Sequence, residues 1–177
     1  LLKSFSISEK THIILLPARI SIWKGHFVAV DAAKELKEKH PELNFIFLFV
    51  GGNNKIKFFE RLKKRIKKNR VEENIIFAGN ISDMPAIYSI ADVVLSTSVE
   101  PEAFGRISAE GCSMCKPVIS SNHGGSKDII ENEKTGWLVE PGNPVKLSEK
   151  IIEVIKMPER KKDQIGKSAR VRVKKKF

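Results

Sequence analysis

The chain has 177 residues, 41% of them hydrophobic, with two cysteines and a formal net charge of +11. That length suits one domain with a real core, and the most apolar stretch, residues 44–50, is far too short to span a bilayer. Two cysteines give no disulfide framework, and the first residues lack a basic segment followed by an apolar one; a cytoplasmic address without a signal peptide is expected.

The excess charge is concentrated. Residues 55–70 hold nine Lys and Arg against one acid, Glu60, and residues 156–176 hold ten against two, Glu159 and Asp163. Either these are solvated helix faces or they meet an anionic membrane surface, on the inner face of which the protein would sit peripherally. Nucleic acid is not an expected partner, because the cations are not interleaved with aromatics and no nucleic-acid module is recognisable.

In chain order, residues 1–10 read as a tether. Residues 12–17 form a short apolar run, expected as a buried strand, and residues 24–40 have helical spacing, with Phe27, Val30, Ala33 and Leu36 on one stripe. Residues 44–50 predict a strand covered on both faces. Gly51, Gly52 and Asn53 turn the chain into an amphipathic helix over residues 55–69, with Ile56, Phe59, Leu62 and Ile66 facing in. A third strand follows at 74–78, then a short helix capped by Asp83 and holding Ile87, Tyr88 and Ala91. Residues 93–96 are a fourth strand, 105–114 a helix, and 117–120 a fifth strand. Ser126 is expected to cap a short helix through residue 130, residues 136–139 are a last strand, and Asn143 is expected to cap a helix to residue 156. Pro158 opens a final helix that stops near Phe177 without a capping signal, and the start at Leu1 rather than Met adds to the expectation of an excised piece cut short at its C-terminal end. Strands separated by helices of this length imply right-handed crossovers, hence an α/β, doubly wound parallel sheet of Rossmann-like type.

In such a sheet ligands bind at the carboxyl ends of the strands. Directly after the first strand stand Arg19 and, five positions on, Lys24 before Gly25; a guanidinium and an ammonium together suit a diphosphate, although a solvated turn reads the same way. After the fourth strand comes Glu102, with Glu110 eight positions on in the following helix. Gly105 allows close backbone approach, and the N–H groups of Phe104, Gly105, Arg106 and Ile107 lie at a helix N-terminus. Carboxylates accept from vicinal hydroxyls, so sugar binding fits this pair better than phosphate binding; favourable charge near a helix dipole is the plain alternative. After the fifth strand, Asn122-His123-Gly124-Gly125-Ser126 forms another amide-rich turn; His123 there could be a functional group, although a lone histidine in a loop is more often structural. Cys112 and Cys115 have C-x-x-C spacing, but a second ligand pair is lacking and the motif falls late in a helix, so packed small residues are expected rather than metal or redox chemistry.

These residues carry a resemblance. Arg19-Ile-Ser-Ile-Trp-Lys24-Gly25, Met84-Pro85 with Tyr88, Ala91 and Asp92, Pro101-Glu-Ala-Phe-Gly-Arg106 with Glu110, Lys116-Pro-Val-Ile119, Gly124-Gly125 and Thr135-Gly136-Trp-Leu-Val139 resemble, in order and spacing, the C-terminal domain of the retaining glycosyltransferases of GT-B fold known as family 4 or group 1. The resemblance implies that residues 11–177 bind a nucleotide-sugar donor. Arg19 and Lys24 would hold the diphosphate, Glu102 the sugar hydroxyls and Glu110 the ribose. The amides of Phe104, Gly105 and Arg106 would contact sugar and phosphate, and the loop at Asn80 and Ile81 would lie against the base, with Gly25, Gly52 and Ile107 completing the surface. It implies no cofactor and no metal, and the chain has no D-x-D motif. It also implies a missing N-terminal acceptor domain, without which this piece is expected to bind donor weakly and not to catalyse transfer. Cell-envelope polysaccharide or lipopolysaccharide is the destination it suggests.

Two residues depart from the pattern. Cys115 stands where glycine is usual, with strain if φ is positive; Gly111 replaces a common alanine, weakening its helix by up to about 1 kcal/mol. The competing readings are a nucleotide-sugar epimerase or a glycogen-phosphorylase relative of the same fold, and a non-catalytic basic binding module.

Overall fold

Apolar runs without polar alternation dictate strands covered on both faces. Six of them align in parallel in the computed structural model, which describes residues 5, 7–53 and 55–177. They are β1 (His12–Leu16), β2 (Phe45–Val50), β3 (Ile75–Gly79), β4 (Val93–Ser96), β5 (Val118–Ser121) and β6 (Trp137–Val139), in the order β3-β2-β1-β4-β5-β6. The helices are α1 (His26–Lys39), α2 (Ile56–Asn69), α3 (Met84–Ser89), α4 (Arg106–Ser113), α5 (Ser126–Ile129), α6 (Pro144–Lys156) and α7 (Glu159–Lys176). β2 is the sheet's apolar centre: Phe47, Leu48 and Phe49 are fully buried, each contributing about 1.5–3 kcal/mol of transfer free energy. The chain moves outward from β1 in one direction and then from β4 in the other; right-handed crossovers therefore place α1 and α2 on one face and α4 on the opposite one. α6 returns to pack on α1, and α7 packs on α4.

Local signals act as the sequence leads one to expect at Asp83, which accepts from the Ala86 amide at 3.1 Å, and at Asn143, which accepts from the Lys146 amide at 3.0 Å. Three details differ. Ile56 points outward and is 75% exposed, while Phe58 is buried; the buried stripe is Phe58, Leu62 and Ile66, at the four-residue spacing of one helix face, and Phe59 packs half-buried beside it, edge-on to Phe77. Ser126 caps nothing: Gly125 occupies the cap position, and the Ser126 hydroxyl meets Ser108 at 3.3 Å, which in turn meets Ser120 at 2.7 Å. This buried serine chain ties α5 and α4 to β5. Gly111, finally, is more than a weak helix residue: a Cβ there would lie 2.8 Å from Val118 Cγ2, so glycine lets α4 settle close on the sheet.

Cys115 adopts φ +55° just past α4. Its amide donates to the Cys112 carbonyl and the Lys116 amide to that of Gly111, both at 3.0 Å. That is a Schellman closure with cysteine in the left-handed position. Cys112 is buried, and burial pushes its thiol up to about 12, where it is inert as a nucleophile. The expected tether, residues 1–10, lies in part outside the described residues; within it, Ile7 is buried against the core.

Candidate functional site

The sheet order reverses between β1 and β4, so the loops leaving their carboxyl ends diverge and leave a crevice. Gly25 joins those loops. It ends the β1 loop at φ +77° and starts α1, and a Cβ on it would fall 1.8 Å from the Thr97 carbonyl oxygen. Across this contact the Thr97 hydroxyl donates to the Lys24 carbonyl at 3.2 Å, and the Val99 amide donates to the Trp23 carbonyl at 2.8 Å.

The stitched backbones bring Lys24 to Glu102. Lys24 Nζ donates to Glu102 Oε1 at 2.8 Å, with side chains only 14% and 13% exposed. Ser98 Oγ donates to the same oxygen, and the ammonium stands over the Trp23 ring, 4.1 Å from its centroid. One of the three ammonium protons serves Glu102, which leaves donors for an anion in the crevice.

Glu110 has its own supports. Tyr88 OH donates to Oε2 at 2.7 Å, and Arg106 Nε stands 3.5 Å from Oε1 one turn earlier. Burial, then the hydrogen bond to Glu110, push the Tyr88 phenol far above its ordinary value, so it remains a donor throughout the physiological range. The carboxylate is thereby oriented with acceptor capacity to spare.

A third loop closes the site. The Gly125 amide donates to the Glu102 carbonyl at 2.8 Å. His123 Nε2 lies 2.8 Å from the Ser98 carbonyl, a contact that requires the Nε2–H tautomer. Below it, α4 begins at Gly105 without a side-chain cap, so its first-turn amides keep their donors for another partner. Arg106 is exposed, the Ile107 side chain is buried and can offer only its amide, and Phe104, 47% exposed, meets Phe177 edge-on at 5.3 Å.

On the other flank, the Ile20 amide donates to the Gly52 carbonyl at 2.9 Å, the Gly51 amide to Gly79 at 2.8 Å, and the Asn80 side chain abuts Gly52. Ile81 is half-buried against the core. Arg19 is exposed and shares a groove with Trp23. Lys24 and Glu102 are thus brought into direct contact, as are Arg106 and Glu110; Arg19 lies in the groove beside Trp23, and Asn80 at the Gly52 turn. His26 anchors the β1 loop from beneath: its Nδ1 lies 3.3 Å from the Ser21 carbonyl, and burial lowers its pKa to about 4. Among the described residues no three His, Cys, Asp or Glu side chains are grouped to hold a metal ion.

Residues 2–172 match the family described as "Glycosyl transferases group 1". The chain belongs to this family. A glycosyltransferase of known structure from Rickettsia africae ESF-5 is 36% identical with a TM-score of 0.93, covering 99% of this chain and 46% of its own length. HepE of Anabaena, solved in complex with UDP and glucose, is 25% identical with a TM-score of 0.88, covering 95% and 45%. Among curated proteins, a trehalose synthase of Pyrococcus horikoshii is 30% identical over 183 residues, covering 100% of this chain and 43% of the enzyme. The chain spans less than half the length of these relatives, and its architecture is that of the C-terminal Rossmann-like domain of a GT-B glycosyltransferase.

In this group 1 domain the sequence pattern does not single out Ser98, and it marks no site task for Tyr88 or His123. Ser98 stands two residues beyond β4, on the edge where ligands bind, and that position was a usable signal. The bond from Tyr88 to Glu110 spans 22 positions and has no local signature.

Proposed function

We propose that this domain binds the donor of a retaining, metal-independent glycosyltransferase, which moves a sugar from a nucleoside diphosphate to an acceptor held elsewhere in the protein. The observation that carries this reading is the largely buried Lys24–Glu102 pair at the sheet's switch point. The pair sets a cation for a diphosphate beside an acceptor for sugar hydroxyls. The UDP and glucose named for HepE support a nucleotide-sugar ligand.

In this reading Lys24, Arg19 and the uncapped amides of α4 offset the negative charge that grows on the departing nucleoside diphosphate. Glu102 accepts from hydroxyls of the transferred sugar and Glu110 from those of the ribose. The acceptor hydroxyl attacks on the face from which the diphosphate leaves, and configuration is retained. Neither glutamate is assigned the acid or nucleophile role of a glycosidase carboxylate. Glu102 is engaged by Lys24 and Ser98, and Glu110 by Tyr88. Cell-envelope polysaccharide or lipopolysaccharide as the destination rests on the family resemblance.

The test is calorimetric titration with UDP, GDP and ADP without divalent metal, on the parent chain and on Lys24→Ala. One nucleotide should bind the parent, and the variant should bind it about 10- to 100-fold more weakly, as expected for removing one charged hydrogen-bond donor. Equal affinity in the two proteins, or binding only with added divalent metal, contradicts the proposal.

A further inference from the structure

We infer that one face of α2, together with the tip of the β1 loop, docks on an anionic lipid bilayer. Lys57, Arg61, Lys64 and Lys68 follow one another at steps of four, three and four along α2, which places them on a single face. The face is continuous with the loop. One groove, of about 820 Å³, is lined by Ile22, Trp23, Lys57 and Arg61; a second, of about 360 Å³, by Arg61, Lys64 and Lys68.

Three features separate this face from an ordinary solvated helix. The stripe's own charge is uncompensated: among the described residues, the cations of α2 paired to carboxylates are Lys63 and Arg65, and Arg65, held by Asp31 at the border of the second groove, stands beside the stripe rather than on it. On α6, by contrast, Lys146 and Lys150 each have a glutamate one turn on. Its sign is uniform, since Glu60 is the one acid between residues 55 and 70 and it is held by Lys63. Its tip is apolar: Ile22 is 51% and Ile56 75% exposed, side by side with the cations. Cations alone would suit any polyanion. Cations beside two water-exposed isoleucines suit a headgroup layer with an acyl boundary beneath it. Ile22 lies two residues from Lys24, so docking in this way brings lipid to the mouth of the candidate site. The inference does not depend on the donor reading, because neither isoleucine nor the α2 stripe is part of the donor site.

The experiment is co-sedimentation with vesicles of phosphatidylcholine alone and of phosphatidylcholine mixed with phosphatidylglycerol, at low and physiological salt. Three double variants are compared with the parent: Arg61→Glu with Lys64→Glu, Ile22→Ser with Ile56→Ser, and Lys167→Glu with Lys174→Glu on α7. All six positions are exposed, and circular dichroism checks that each variant folds. The parent should bind the mixed vesicles, and more salt should weaken it. Each cation near the surface is worth about fivefold, so the α2 reversal should weaken binding at least about 25-fold. The serine pair should weaken it by a smaller factor, and the α7 reversal should leave it largely intact. Equal loss on reversing α7 overturns the inference, as do an unchanged affinity in the serine pair, equal binding to neutral vesicles, or no binding at low salt. Tighter binding of duplex DNA through the same α2 cations also overturns it.

Discussion

Gly25→Ala should break the junction that holds Lys24 against Glu102. At φ +77° a non-glycine residue costs about 1–2 kcal/mol. The new Cβ would also stand 1.8 Å from the Thr97 carbonyl oxygen and 2.7 Å from its carbon, which are backbone atoms at a strand exit and cannot swing aside like a side chain. Overpacking of that kind costs about 1–3 kcal/mol, for a total of about 2–5. At about 2–4 °C per kcal/mol for a domain of this size, the melting temperature should fall by about 4–20 °C, read by circular dichroism, and nucleotide binding should weaken in parallel. Gly52→Ala is the comparison: its Cβ would meet the Asn80 side chain at 3.1 Å, which can rotate away, so stability should change by less than about 1 kcal/mol. A Gly25→Ala protein melting within about 2 °C of the parent would refute the close approach of the two loops.

Tyr88→Phe removes the donor on Glu110 Oε2; because Glu110 is 43% exposed, water replaces much of the lost bond, and a cost of about 1 kcal/mol is expected in chemical denaturation. Its nucleotide affinity should fall about fivefold in calorimetry, since Glu110 loses its orientation. His26 gives a pH signature. Its pKa falls from 6.5 to about 4 on folding, so the unfolded chain binds more protons between those values and stability drops as pH falls through that window. The drop should be about 3 kcal/mol, measured by urea unfolding at several pH values, and His26→Gln should flatten this part of the profile; an unchanged slope counts against a buried neutral imidazole. Cys115→Gly relieves the left-handed strain of about 1–2 kcal/mol but adds about 0.4–1 kcal/mol of unfolded-chain freedom, so melting should rise by about 2 °C. A lowered melting temperature would mean that packing of the thiol outweighs the backbone.

The alternation of elements was legible because strands buried on both faces and amphipathic helices leave different periods in the sequence. The diphosphate and hydroxyl-binding candidates were legible because loops at strand ends are where such a fold places ligands, and Lys24 and Glu102 do meet there. What escaped depends on tertiary placement. In α2 both Phe58 and Phe59 fit a helical stripe, and only the position of the sheet decides that Phe58 goes inside and Ile56 stays out. Ser126 carries the composition of a cap, yet a serine on α4 offers its hydroxyl a buried partner. Helix propensity alone makes Gly111 a local weakness; Val118 on the sheet is what excludes a Cβ there.

The most direct test of the donor site is a crystal structure of this chain with the nucleoside diphosphate it binds best, grown without divalent metal. The diphosphate should lie within hydrogen-bond distance of Lys24 and Arg19, with the ribose hydroxyls on Glu110. A nucleotide seated elsewhere, for instance in the groove of α7 beside Lys167 and Arg172, or one whose diphosphate lies clear of Lys24, would contradict that placement.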